Sequence, residues 1–113
     1  MLPKPYQLTK VDFEKVEKDG KIIQLESFGV AYLDRGDAEP SRFGFIVSNK
    51  IARDAVDRNR IKRALREAVR QSVWQTKKGT SVLFLTKTTI ANKATDEIMN
   101  EVRRALKELK LTE

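Results

Sequence analysis

The chain has 113 residues, 23 Lys and Arg against 16 Asp and Glu, a net charge of +7, and neither cysteine nor histidine. That length suits a single domain, 1–113, with a core of its own. The missing cysteines exclude a disulfide framework and thiolate zinc sites, and the missing histidines remove the commonest general acid–base and metal ligand.

Thr9 is placed to cap a first helix at roughly 10–18, with Asp12 completing a capping box and Gly20 suiting its end. Two β-like runs follow, Ile22-Ile23-Gln24-Leu25 and Phe28 to Leu33; in the second, Phe28, Val30 and Tyr32 share one face and Gly29, Ala31 and Leu33 the other. After the polar loop from Asp34 to Ser41, the run from Arg42 to Ser48 reads as a third strand, the expected hairpin partner of the second. A long helix is expected from near Asp54 to near Trp74, with Ile61, Ala64, Leu65, Ala68, Val69 and Ser72 as its buried stripe. Trp74, at its end, is read as capping the core in preference to stacking on RNA. Ser81 to Thr86 is a nearly continuous apolar strand, which suggests a central place in the sheet. Thr95 is expected to cap a last helix whose core face is Ile98, Val102, Ala105, Leu106 and Leu109.

The order α-β-β-β-α-β-α predicts an α+β sandwich, helices on a small sheet. The N-terminal residues contain no apolar run suited to a signal sequence, and the most apolar stretches, Val30 to Leu33 and Val82 to Leu85, are far too short to cross a bilayer. The expectation is a soluble cytoplasmic protein without a membrane partner.

Charge concentrates in the long helix. Between Arg58 and Arg70 lie six basic residues and one acid, Glu67, so this window carries +5 of the net +7. At about 100° per residue, Asn59, Lys62, Arg63, Arg66 and Arg70 form one contiguous arc opposite Ile61, Leu65 and Ala68, flanked by Arg58 and Arg60. Arginine predominates, which suits bidentate phosphate recognition, and Asn59 can reach a base edge or a 2′-hydroxyl. A solvated helix face braced by charge pairs is the plainer alternative. The arc speaks against it, because Arg66 and Arg70 are expected to have almost no acidic partners, Glu67 lying off the arc. The pattern favours nucleic-acid binding.

Ser48-Asn49-Lys50, followed by Arg58-Asn59-Arg60-Ile61-Lys62-Arg63-Ala64-Leu65-Arg66-Glu67, closely resembles the signature of the bacterial ribonuclease P protein component. Asp12-Phe13, Gly20, the strand start Arg42-Phe43-Gly44, and Lys87 after an apolar strand match the same pattern. The resemblance covers roughly residues 6–109. It implies a four-stranded mixed sheet with a left-handed β-α-β crossover, where right-handed crossovers are the default. It further implies a subunit that pairs with a catalytic RNA and promotes removal of the 5′ leader from precursor tRNA. The magnesium ions would be held mainly by the RNA, no catalytic or metal-binding residue would lie on the protein, and no protein oligomer would be required.

If the family's roles carry over, Lys50, Arg53, Arg58, Asn59, Arg60, Lys62, Arg63 and Arg66 meet RNA, with Arg70 joining them on the arc. A cleft between the first helix, the sheet and the central helix would take the single-stranded leader, with Phe13, Tyr32, Ser48 and Lys87 as candidates. Read without the resemblance, Phe13 is better placed in the core, Tyr32 is open to burial with Phe28 and Val30 on its face, and Lys87 is open to reading as an ordinary strand-end lysine. The chain departs from the family pattern at Glu17, Ala31 and Asn49, and Glu17 is expected at the cleft rim or in solvent. Two other readings compete: a general structured-RNA or ribosome-binding module, and a metal nuclease using Asp54, Asp57 or Glu67. In the second case, Asp54 is better explained as a helix cap and Asp57 as a first-turn acid.

Overall fold

The computed structural model describes residues 2–112. After a 3-10 turn at Lys4–Tyr6, helix α1 spans Lys10–Asp19. Its start is the expected capping box: the Thr9 hydroxyl accepts from the Asp12 amide at 3.2 Å, and Asp12 Oδ2 accepts from the Thr9 amide at 3.1 Å. Gly20 ends the helix for a different reason from the one expected. Its φ is −73°, outside the left-handed region. A Cβ there would lie 2.5 Å from the Val16 carbonyl oxygen and 3.0 Å from that of Tyr32, so close backbone approach requires glycine.

Strands β1 (Lys21–Gln24), β2 (Phe28–Asp34), β3 (Arg42–Ile46) and β4 (Thr80–Thr86) form one sheet in the order β1-β2-β4-β3. β1 and β2 are an antiparallel hairpin, β4 runs antiparallel to β2, and β3 runs parallel to β4. The expected β2–β3 hairpin is therefore not formed. β4 inserts between them, and the backbone around Gly79 shows how. The Arg35 amide donates to the Gly79 carbonyl at 2.6 Å, and the Gly79 amide donates to the Glu39 carbonyl at 2.8 Å, so β4 enters between the two arms of the 34–41 loop. Gly79 does this with φ +89°. β4 takes the centre because it is apolar along its length and can be covered on both faces.

Helix α2 spans Ala55–Ser72 and passes into a 3-10 turn, Val73–Gln75. Asp54 caps it, Oδ1 accepting from the Val56 amide at 3.0 Å. The buried residues of α2 are Ile61, Ala64, Leu65, Ala68 and Val69. Trp74 is 83% exposed, so it does not cap the core; Val73, at 8%, closes the stripe instead. Helix α3 spans Thr95–Glu108, and its cap lies one residue earlier than the expected Thr95. Ala94 is the N-cap, and its amide donates to Glu97 Oε1 at 3.1 Å.

The result is three layers. On one face of the sheet Phe28, Val30, Phe43, Val82 and Phe84 pack with α2 and α3 in the main core. The Phe28 and Phe84 rings meet edge to face at 5.3 Å. On the other face Ala31 and Leu83 pack with Val16 of α1, joined by Leu8, Phe13, Leu33 and Leu85. The buried Glu101 carboxylate ties α3 to the β1–β2 turn by accepting from the Ser27 amide and hydroxyl, each at 2.8 Å.

Candidate nucleic-acid interface

Burial of the α2 stripe turns the opposite face of the helix to solvent. Asn59, Arg63, Arg66 and Arg70 are exposed there, Lys62 is half-buried at the edge, and Lys50 and Arg53 are exposed on the preceding loop. Among the described residues, no side-chain hydrogen bond or ion pair engages Asn59, Lys62, Arg63 or Arg66.

The remaining arginines are partly committed to the fold. Arg58 Nη1 donates to the carbonyls of Ala52 at 2.7 Å and Arg53 at 2.8 Å, which braces the loop before α2. Arg60 Nη1 donates to the Lys93 carbonyl at 3.0 Å, tying α2 to the segment before α3. Arg70 corrects the expectation of an unpartnered cation: its Nε donates to Glu67 Oε2 at 2.9 Å, and Nη2 meets the second carboxylate oxygen. That hydrogen bond leads the effects holding the Glu67 carboxyl down at about 2. The spacing of three residues was the signal for the pair.

Between α2 and α3 lies a groove of about 750 Å³, with Arg60 and Arg63 beside the apolar Val56, Ala64 and Met99. A smaller hollow of about 240 Å³ at the β3 edge brings Arg66 near Leu8, Phe43 and Phe45. Arginine stems lie against apolar surface in both.

The four expected leader contacts do not converge on one cleft. α1 and α2 lie on opposite faces of the sheet, so no cleft runs between them as expected. Phe13 is half-buried on the α1 face, whereas Tyr32 packs against the main core on the α2 and α3 face. Strand parity carried that signal, since Tyr32 shares its face with the wholly buried Phe28 and Val30. Ser48 is exposed beyond β3. Lys87 Nζ donates to the Leu25 carbonyl at 2.7 Å, which makes it a brace for the β1–β2 turn. Glu17 is exposed, as expected. Sequence reading missed two exposed apolar residues on the α1 face, Ile22 at 52% and Ile46 at 37%, which register with Ala31 and Leu85.

Asp54 is spent on its cap and Glu67 on Arg70. Among the described residues no group of three or more carboxylates gathers as a candidate metal site.

A model of the family described as Ribonuclease P matches residues 2–110. The chain belongs to the ribonuclease P protein family.

Other members of the ribonuclease P protein family show the extent of the likeness. The protein component from Pseudanabaena sp. is 33% identical over 98% of this chain and 97% of its own. That of Macrococcus caseolyticus is 41% identical over 59% of this chain and 58% of its own. A match to the Gluconacetobacter diazotrophicus protein likewise spans 60% of that protein. Among solved structures, the Staphylococcus aureus RNase P protein superposes with a TM-score of 0.85 at 26% identity, covering 96% of this chain and 98% of that one. The Thermotoga maritima protein gives 0.78 at 26% identity, covering 90% and 96%. The α+β fold with a mixed four-stranded sheet is therefore the fold of this family.

Proposed function

We propose that this chain is the protein subunit of ribonuclease P and promotes endonucleolytic removal of the 5′ leader from precursor tRNA in the cytoplasm. The observation that carries the reading is the outer face of α2, where Asn59, Lys62, Arg63 and Arg66 have no side-chain partner among the described residues and stand opposite a buried stripe. A rigid helix presenting unneutralised cations is suited to a phosphate backbone, and each contact formed releases counterions. Lys50 and Arg53 extend the face along the loop, and Arg58 and Arg60 contribute the guanidinium nitrogens their backbone contacts leave over.

The division of labour is the one the family resemblance implies. The protein binds and orients RNA. Following the family resemblance, cleavage is assigned to the catalytic RNA and the magnesium ions to RNA phosphates; of the acids in the competing nuclease reading, Asp54 caps α2 and Glu67 pairs with Arg70. The single-stranded leader is best accommodated on the α1 face, where Phe13 and the exposed Ile46 offer apolar surface and Ser48 follows β3. Tyr32 and Lys87 would influence that surface through the core and the β1–β2 turn they support.

Reconstitution tests the reading. The purified chain alone should leave precursor tRNA intact, and with a bacterial ribonuclease P RNA at low magnesium it should accelerate leader removal. Failure to stimulate several such RNAs would overturn the proposal. A general RNA-binding module would instead bind unrelated structured RNAs equally well and leave cleavage unchanged.

A further inference from the structure

One large side chain has no part in the core or in the RNA contacts above. Trp74 follows the end of α2 and is 83% exposed, while its neighbour Val73 is buried. Single exposed aliphatic residues such as Val11 need no explanation. Trp74 differs in its surroundings. Arg70 precedes it by four residues, one helical turn, and Lys77 and Lys78 follow it. Between Glu67 and Asp96 the chain has no acidic residue at all.

The cationic setting extends to α3. Gln75 and Lys77 line a hollow of about 290 Å³ with Lys107 and Lys110 from the end of that helix. Lys110 sits at φ +60°, a left-handed position usually given to glycine. Cations near a helix C-terminus are favoured by its dipole, which accounts for Lys107 and Lys110. The dipole does not account for an exposed indole one residue before Gln75, which lines that hollow.

An aromatic face bordered by cations is the arrangement that recognises an unpaired nucleotide: the ring stacks on the base and the cations meet the flanking phosphates. We propose that Trp74 is a stacking platform for an unpaired RNA base, with the exposed Lys77 and Lys78 as its phosphate contacts, and that it lengthens the α2 interface beyond the Arg58–Arg66 run. The inference rests on the reading of α2 as an RNA-binding helix.

Trp74 is the only tryptophan in the chain, so its fluorescence reports on this position alone. The full chain is titrated with a bacterial ribonuclease P RNA, and acrylamide quenching is measured in the free and bound states. RNA should quench the emission and shield the indole from acrylamide. Trp74→Ala should weaken RNA binding by about 5- to 150-fold, the range given by ~1–3 kcal/mol for one stacked base. The salt dependence of binding should stay unchanged, and Trp74→Phe should recover most of the affinity. Far-UV circular dichroism checks that both variants keep the fold.

An indole equally accessible in the complex, with Trp74→Ala binding at wild-type affinity, overturns the proposal. If Arg63→Ala still flattens the salt dependence in that case, the RNA-binding reading of α2 stands and only the platform is lost. Shielding that grows with protein concentration in the absence of RNA marks Trp74 as a self-association contact and also overturns it. Absence of any RNA binding removes both readings together.

Discussion

Arg42 of β3 reaches across to Asp12 of α1, its Nη1 lying 3.0 Å from Asp12 Oδ2 and 3.1 Å from Oδ1. The same carboxylate closes the capping box with Thr9, so one buried acid both starts α1 and fastens it to the sheet edge. Removing it should cost stability twice over. Asp12→Ala is expected to destabilise the fold by ~1–3 kcal/mol, the range for losing a cap together with a charge-assisted hydrogen bond. Urea denaturation measures it. An unchanged midpoint would mean that α1 is held by its apolar face alone.

The pH dependence of that contact has a definite sign. Burial pushes the Asp12 carboxyl up, but the hydrogen bonds from Thr9 and the guanidinium of Arg42 outweigh it, and the pKa is lowered overall. A carboxyl with a lowered folded pKa contributes stability that is present above its unfolded pKa and lost as pH falls through the folded one. Stability should therefore decline below about pH 4. Asp12→Asn should be less stable at neutral pH and show a shallower acid decline. Parallel pH profiles for the two proteins would remove Asp12 from the acid response.

Gly20→Ala should destabilise the fold by ~1–3 kcal/mol through overpacking. The added methyl would meet the backbone oxygens of Val16 and Tyr32, which cannot swing aside as a flexible side chain does. Thermal or urea unfolding reads the loss, and a neutral result would show that α1 can shift away from β2 at no cost.

Arg63→Ala addresses the RNA face without touching the core. Arg63 is exposed and has no partner among the described residues, so stability should change by no more than about 0.5 kcal/mol. RNA affinity should fall, and the slope of log K against log salt should flatten by about one phosphate contact. A wild-type slope would place Arg63 outside the interface.

Glu67→Gln probes the pair that sequence reading discounted. With its carboxyl held at about 2, Glu67 stays ionised and keeps Arg70 engaged across the ordinary pH range. The amide should release Arg70 to RNA, steepening the salt dependence by about one contact and tightening binding at low salt. No change in slope would show that Arg70 already meets RNA while paired, or never does.

Each feature that was legible in the sequence has a local cause. Thr9 and Asp12 are three residues apart, and the Ile61, Leu65, Ala68 stripe repeats with the helical period, so the α1 cap and the two faces of α2 needed no knowledge of the rest of the chain. The continuous apolar run of β4 likewise announced its central place. Arg70 and Trp74 were misread for two different reasons. The Arg70 pairing was visible in the spacing from Glu67 but was discounted because the acid lies off the arc. The Trp74 exposure depends on where the buried stripe stops, and Val73 supplied that stop.

The sequence by itself determined the cationic face of α2, because helical periodicity converts a run of residues into an apolar side and a cationic side. It also carried the resemblance to the ribonuclease P protein family, whose most specific motif lies in the same run, within the matched residues 2–110. Only the tertiary structure decided which strand lies beside β2, since pairing β3 parallel to β4 depends on contacts remote in sequence. With that choice came the separation of Phe13 from Tyr32 across the sheet and the engagement of Lys87 with Leu25, 62 residues away. Side-chain type states what a residue can bind; the sheet's topology settles which residues stand together to bind it.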